Sequence, residues 1–103
     1  MSINLLLKDT NMTREQAKTC VGEGWSVLID KIYDQLTEEM IVVQVKEKLG
    51  SLRVYVQCAS ESVRDLINDI QQQSYSICEI CGAASIQATN EHRMTTTRCE
   101  LHK

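Results

Sequence analysis

The sequence predicts an α+β fold: helices packed on an antiparallel β-hairpin, followed by a small cysteine-bearing module. Three observations predict it. Apolar residues recur at helical spacing in two stretches, 25–36 and 63–70. Between them, apolar and polar residues alternate on both sides of Gly50, the period of a half-buried strand. After Tyr75 both patterns stop, and three of the five Cys follow. A chain of 103 residues is one domain by length.

The chain has no Pro, so element ends are read from Gly and from caps. Thr13, with Gln16 three residues later, has the spacing of a capping box. It predicts a short helix over 13–20, ended by Gly22 and Gly24. A second helix over 25–37 carries Trp25, Leu28, Ile29, Ile32 and Leu36 on one stripe. Asp30 and Asp34 lie opposite and read as a solvated face.

Residues 41–58 read as a hairpin with Gly50-Ser51 as its two-residue turn, since Gly at the first central position suits a type II′ turn. That turn sets Leu49 opposite Leu52, Lys48 opposite Arg53, Lys46 opposite Tyr55 and Val45 opposite Val56. One face then holds Val43, Val45, Glu47, Leu49, Leu52, Val54, Val56 and Cys58. The other holds Gln44, Lys46, Lys48, Arg53, Tyr55 and Gln57. A third helix runs from Glu61 or Ser62 to Ser74, with Ser62 and Asp65 at capping-box spacing. Val63, Leu66, Ile67 and Ile70 form its apolar stripe.

Composition bounds the function. Eleven basic against 14 acidic residues give a net charge of −3, which argues against a protein that coats nucleic acid by neutralising phosphates. No apolar run approaches the roughly 18–20 residues that span a bilayer. The first nine residues lack the basic start and apolar core of a signal peptide. The expected location is therefore the cytosol, where thiols stay reduced. The cysteines then read as metal ligands or core residues. A staple is also needed, because so short a chain with no Phe, one Trp and three Tyr has a modest core.

Cys78-Glu79-Ile80-Cys81-Gly82 is a C-x-x-C-G knuckle, and Cys99-Glu100-Leu101-His102 is a C-x-x-H pair. A turn between two thiolates at this spacing aims both sulfurs at one ion, and Gly82 permits the tight backbone. Cys78, Cys81, Cys99 and His102 together have the ligand count and spacing of a closed tetrahedral zinc site. Three thiolates and one imidazole favour zinc over oxygen-seeking cations. His92 is the alternative fourth ligand. In the spacer, 85–87 and 94–97 are expected to pair as a small hairpin, giving a zinc-ribbon or treble-clef-like module. The chain thus divides into a helix–hairpin–helix core over 1–75 and a zinc-binding module over 76–103. Cys20 and Cys58 read as core thiols, with no His beside either to activate it.

Lys46, Lys48, Arg53 and Tyr55 share the polar hairpin face. Basic residues interleaved with an aromatic and amides suit a nucleic-acid or nucleotide contact. They are equally ordinary on the solvated face of a two-stranded sheet, and both readings stand. The chain is expected not to be an enzyme: it has no G-x-G-x-x-G, P-loop, G-x-S-x-G or H-E-x-x-H motif. Asn90-Glu91-His92 lacks the following helix that an HNH-type nuclease needs.

Gly24-Trp25 heading a helix, the string Val43-Gln44-Val45-Lys46-Glu47-Lys48-Leu49-Gly50-Ser51-Leu52-Arg53-Val54-Tyr55-Val56, Cys78-x-x-Cys81-Gly82 and Cys99-x-x-His102 resemble a family of small, uncharacterised bacterial and prophage-encoded proteins. Leu49 stands where many relatives carry an aromatic residue. The resemblance implies a phage-type factor that binds a host macromolecule, such as an anti-defence or anti-CRISPR inhibitor. The expectation is a non-catalytic, zinc-stabilised protein with a protein partner at Lys46, Lys48, Arg53 and Tyr55. A nucleic-acid-binding zinc module and a sponge for a small anionic nucleotide are the alternatives on the same face. No membrane is involved, and a homo-oligomer is left open.

Overall fold

The computed structural model describes residues 11–89 and 95–102. The first nine residues, His92 and Met94 lie outside the described residues, and so do the readings made on them. The element order is α1 (Arg14–Thr19), a 3₁₀ turn (Glu23–Trp25), α2 (Ser26–Tyr33), β1 (Ile41–Lys48), β2 (Ser51–Gln57), α3 (Glu61–Ser74), β3 (Ile86–Thr89), β4 (Thr95–Arg98) and a second 3₁₀ turn (Glu100–His102). The fold is mixed α+β, with two antiparallel hairpins, as the patterning predicts.

α1 starts at the predicted box. The Thr13 hydroxyl accepts from Gln16 N, and the Gln16 carboxamide accepts from Thr13 N. α2 is shorter than its stripe, because the backbone after Tyr33 tightens: Gln35 N donates to Ile32 O and Leu36 N to Tyr33 O. Asp30 and Asp34 are not merely solvated. Arg14 bridges both at 3.0 and 2.9 Å, and Lys18 also reaches Asp30, so these ion pairs bind α1 to α2.

The hairpin register differs from expectation by two residues. Lys48 pairs with Ser51, Lys46 with Arg53, Val45 with Val54 and Gln44 with Tyr55. The turn residues are Leu49 and Gly50, both at positive φ (53° and 81°), which is a type I′ pattern rather than II′. An even shift leaves each strand's alternation intact, so Val45, Leu52 and Val54 remain on the core face. A bulge between Val42 and Gln44 then changes the far end. It buries Val42 and turns Val43 outward, against expectation. Cys58 is also exposed, at φ 62° past the end of β2, and Cys20 is exposed at the C-cap of α1. Neither is a core thiol.

α3 is capped by Ser60, whose hydroxyl accepts from Val63 N, rather than by Ser62. It lies along the outer edge of β2. Leu52 N donates to Ser74 Oγ, and Val54 N donates to the Gln71 carboxamide oxygen, so helix side chains satisfy two amides that an open edge leaves unpaired. The core lies between the hairpin and the helices: Trp25, Leu28, Ile29, Ile32, Val42, Val45, Leu52, Val54, Val63, Ile67 and Ile70.

Candidate metal centre

The 3₁₀ turn at Glu23–Trp25 and the knuckle after α3 are built against each other. Gly24 N donates to Glu79 O at 3.0 Å. A Cβ on Gly22 would stand 2.0 Å from that oxygen, and a Cβ on Gly24 would stand 1.9 Å from Cys78 O. Only glycine permits this approach. Next to it, the fully buried Trp25 donates its indole N–H to Ile77 O, the residue before the first thiol. Gly22 and Gly24 are thus more than helix terminators: they seat the knuckle on the helical core.

The knuckle backbone is a tight turn, with Gly82 N donating to Cys78 O and Gly82 at φ 83°. The second ligand pair arrives on β4. Glu79 N donates to Thr97 O, and the Arg98 guanidinium pairs with the nearly buried Glu79 carboxylate at 2.8 Å. This clasp joins the segment bearing Cys78 and Cys81 to the one bearing Cys99 and His102. The short turn over 100–102 then brings His102 back, with its amide donating to Cys99 O.

The result is a cluster. The three sulfurs and one His102 ring nitrogen lie within 4.8 Å of one another and could hold a metal ion. Cys81 and Cys99 sulfurs are 3.6 Å apart, and His102 Nδ1 stands 3.7 Å from the Cys78 sulfur and 3.1 Å from that of Cys99. A tetrahedral ion with sulfur at about 2.3 Å and nitrogen at about 2.0 Å separates its ligands by about 3.5–3.8 Å, so the donors fit with little movement. Burial opposes ionisation of Cys78, but the amides of Cys99, Cys81 and Ile80 outweigh it and hold its thiol down to about 6. At Cys81 the Ala83 amide favours the thiolate. Hydrogen bonding to Cys99, with burial and Cys78, prevails and raises its pKa. A bound cation would relieve this crowding of sulfurs.

The polar hairpin face is less uniform than its residue types. Lys48 is exposed beside the turn. Lys46 Nζ sits 5.6 Å from the Tyr55 ring centre, diagonally rather than directly opposite. Arg53 is half-buried, donates to the Tyr75 hydroxyl, and has its Nε buried without a partner among the described residues. The supports missed from sequence are Gly22, Gly24, Trp25, Glu79 and Arg98. The Gly-x-Gly-Trp string was the one local signal for the first three, since paired glycines before a large aromatic suit a close backbone approach. No helix is long and apolar enough to cross a membrane among the described residues. Comparison with known proteins gives no match to any family model, curated protein or solved structure.

Proposed function

We propose that the chain is a non-catalytic binding protein of phage or prophage type, stabilised by structural zinc, that acts in the cytosol on a host macromolecule. A protein of a host defence system is the partner that the family resemblance suggests. The observation that carries the reading is the cluster of Cys78, Cys81, Cys99 and His102, with all four donors inside 4.8 Å. Three thiolates and an imidazole suit zinc better than harder cations. Four protein ligands complete a tetrahedron and leave no position for substrate or an attacking water, which favours a structural role over catalysis.

The partner surface proposed is the hairpin face of Lys46, Lys48, Arg53 and Tyr55. Its support is the stacked Lys46–Tyr55 pair beside a half-buried Arg53, a combination of aromatic and arginine typical of binding hot spots. Native mass spectrometry of the untagged protein is expected to give one zinc per chain. Affinity capture from host cells should yield a stoichiometric protein that Lys46→Glu/Lys48→Glu no longer retains. Zinc with nucleic acid as the retained species would replace this reading by the nucleic-acid one, and a metal-free native protein would overturn it.

A further inference from the structure

A second site lies away from the metal. Residues of β1, β2 and α3 line a groove of about 560 Å³. That is within the size of small-molecule sites. Its apolar walls are Val43, Val54, Val56 and Ile67, and its polar groups are Tyr55, Arg64, Gln44, Gln57, Asn68 and Gln71.

Three features set it apart. First, none of its lining residues is acidic, in a chain that carries 14 acidic residues and a net charge of −3. Second, Arg64 has no side-chain hydrogen bond or ion pair among the described residues. The other described arginines are all engaged: Arg14 with Asp30 and Asp34, Arg53 with Tyr75, and Arg98 with Glu79. Third, the carboxamides are largely unspent. Gln71 uses its oxygen on Val54 N, which fixes its orientation and leaves its NH₂ group available. Gln44, Gln57 and Asn68 make no side-chain hydrogen bonds among the described residues. Tyr55, nearly half exposed, adds an aromatic face with Lys46 Nζ 5.6 Å from its centre.

We infer that this groove binds a nucleotide, with its phosphate paired to Arg64 and its base against Tyr55. A guanidinium that no carboxylate engages among the described residues can grip phosphate through parallel N–H donors. An aromatic ring supplies a stacking surface that any base can use. Carboxamides present donor and acceptor side by side, the arrangement that matches the N6 and N7 edge of adenine, so adenine nucleotides are the favoured class. A plain anion would use Arg64 and leave the carboxamides and Tyr55 idle. The groove shares Tyr55 and the neighbouring Lys46 with the proposed partner face, but Arg64 lies outside that face on α3, and the inference rests on neither the host partner nor the metal.

The test is titration of the metal-replete full chain with AMP, adenosine and inorganic phosphate, followed by calorimetry and amide NMR shifts. AMP is expected to bind at least about tenfold more tightly than adenosine, with shifts centred on Val56, Arg64 and Asn68. Arg64→Ala should erase that difference. Arg64 is exposed, so the variant should keep the parent's melting temperature and metal content. Asn68→Asp, which puts a negative charge in the groove, should weaken AMP in the same direction. The inference is overturned by no AMP binding at about 1 mM, by phosphate binding as well as AMP, by an acidic peptide shifting these amides where AMP does not, or by unchanged AMP affinity in Arg64→Ala.

Discussion

Gly24 has no room for a side chain, because a Cβ there would meet the carbonyl oxygen of Cys78 at 1.9 Å and Gly82 N at 2.6 Å. Both neighbours are backbone of the knuckle, so the strain cannot be relieved by a rotamer change. Gly24→Ala should therefore lower stability by about 3 kcal/mol, the upper end for overpacking a filled site. A urea midpoint indistinguishable from the parent's would show that the knuckle is not seated there. Trp25, next in the chain, is fully buried without an unpaired polar group, since its indole N–H finds Ile77 O. The donor set itself was readable from residue types and spacing alone. Cys78, Cys81, Cys99 and His102 sit at local distances that a short turn can close. Glu79 and Arg98 were not readable, because their pairing joins residues that only the folded hairpin brings together.

The β1–β2 turn shows the same division between local and distant causes. Gly50 was placed correctly at the tip, but Leu49 joins it in the turn at φ 53°, a conformation that costs a non-glycine residue about 1–3 kcal/mol. Two contacts from the β3–β4 hairpin and one from within β1 hold it. Gln87 donates to Leu49 O, Thr97 donates to Gly50 O, and the Glu47 carboxylate accepts from Gly50 N at 2.7 Å. Local preference favoured Gly50-Ser51, and the β3–β4 hairpin decided otherwise. Leu49 is well exposed, so Leu49→Asn should raise stability by about 1 kcal/mol, because Asn adopts this φ more readily. A thermal melt with no gain would mean that Leu49 packs on something its exposure does not reveal. The α1–α2 clamp gives a pH prediction at this scale. The hydrogen bond from Lys18, reinforced by Arg14 and partly opposed by burial, holds Asp30 below the usual carboxylate range. The unfolded chain then takes up the proton first. The clamp's contribution is complete above about pH 4 and is lost as pH falls through the lowered folded value. Denaturation midpoints between about pH 5 and pH 2 should fall more steeply in the parent than in Asp30→Asn. Parallel curves would show that the clamp adds nothing measurable.

For the whole molecule, the question is whether the part bearing the Cys78, Cys81, Cys99 and His102 cluster melts separately from the helix–hairpin–helix part. The contacts argue that it does not. The knuckle backbone touches Gly22 and Gly24, Ile77 O takes the Trp25 indole N–H, and the β3–β4 hairpin bonds the β1–β2 turn through Gln87 and Thr97. Metal binding at such a site is coupled to folding, because the unfolded chain offers no preformed set of ligands. Removing the ion would therefore withdraw support from both ends of the core. The chain contains a single Trp, and it sits at this junction, fully buried. Its fluorescence reports the core, while metal release can be followed independently with a colorimetric chelator. Chelation, or Cys99→Ser, should shift the Trp25 emission to the red and lower its melting temperature in a single transition that coincides with loss of far-ultraviolet circular dichroism. The alternative outcome is equally readable: metal leaves, Trp25 stays blue, and its melt is unmoved. That would mean residues 76–103 are an appendage whose fold matters only to itself. The close approach of Gly24 to Cys78 would then contribute little, which the Gly24→Ala measurement would show independently.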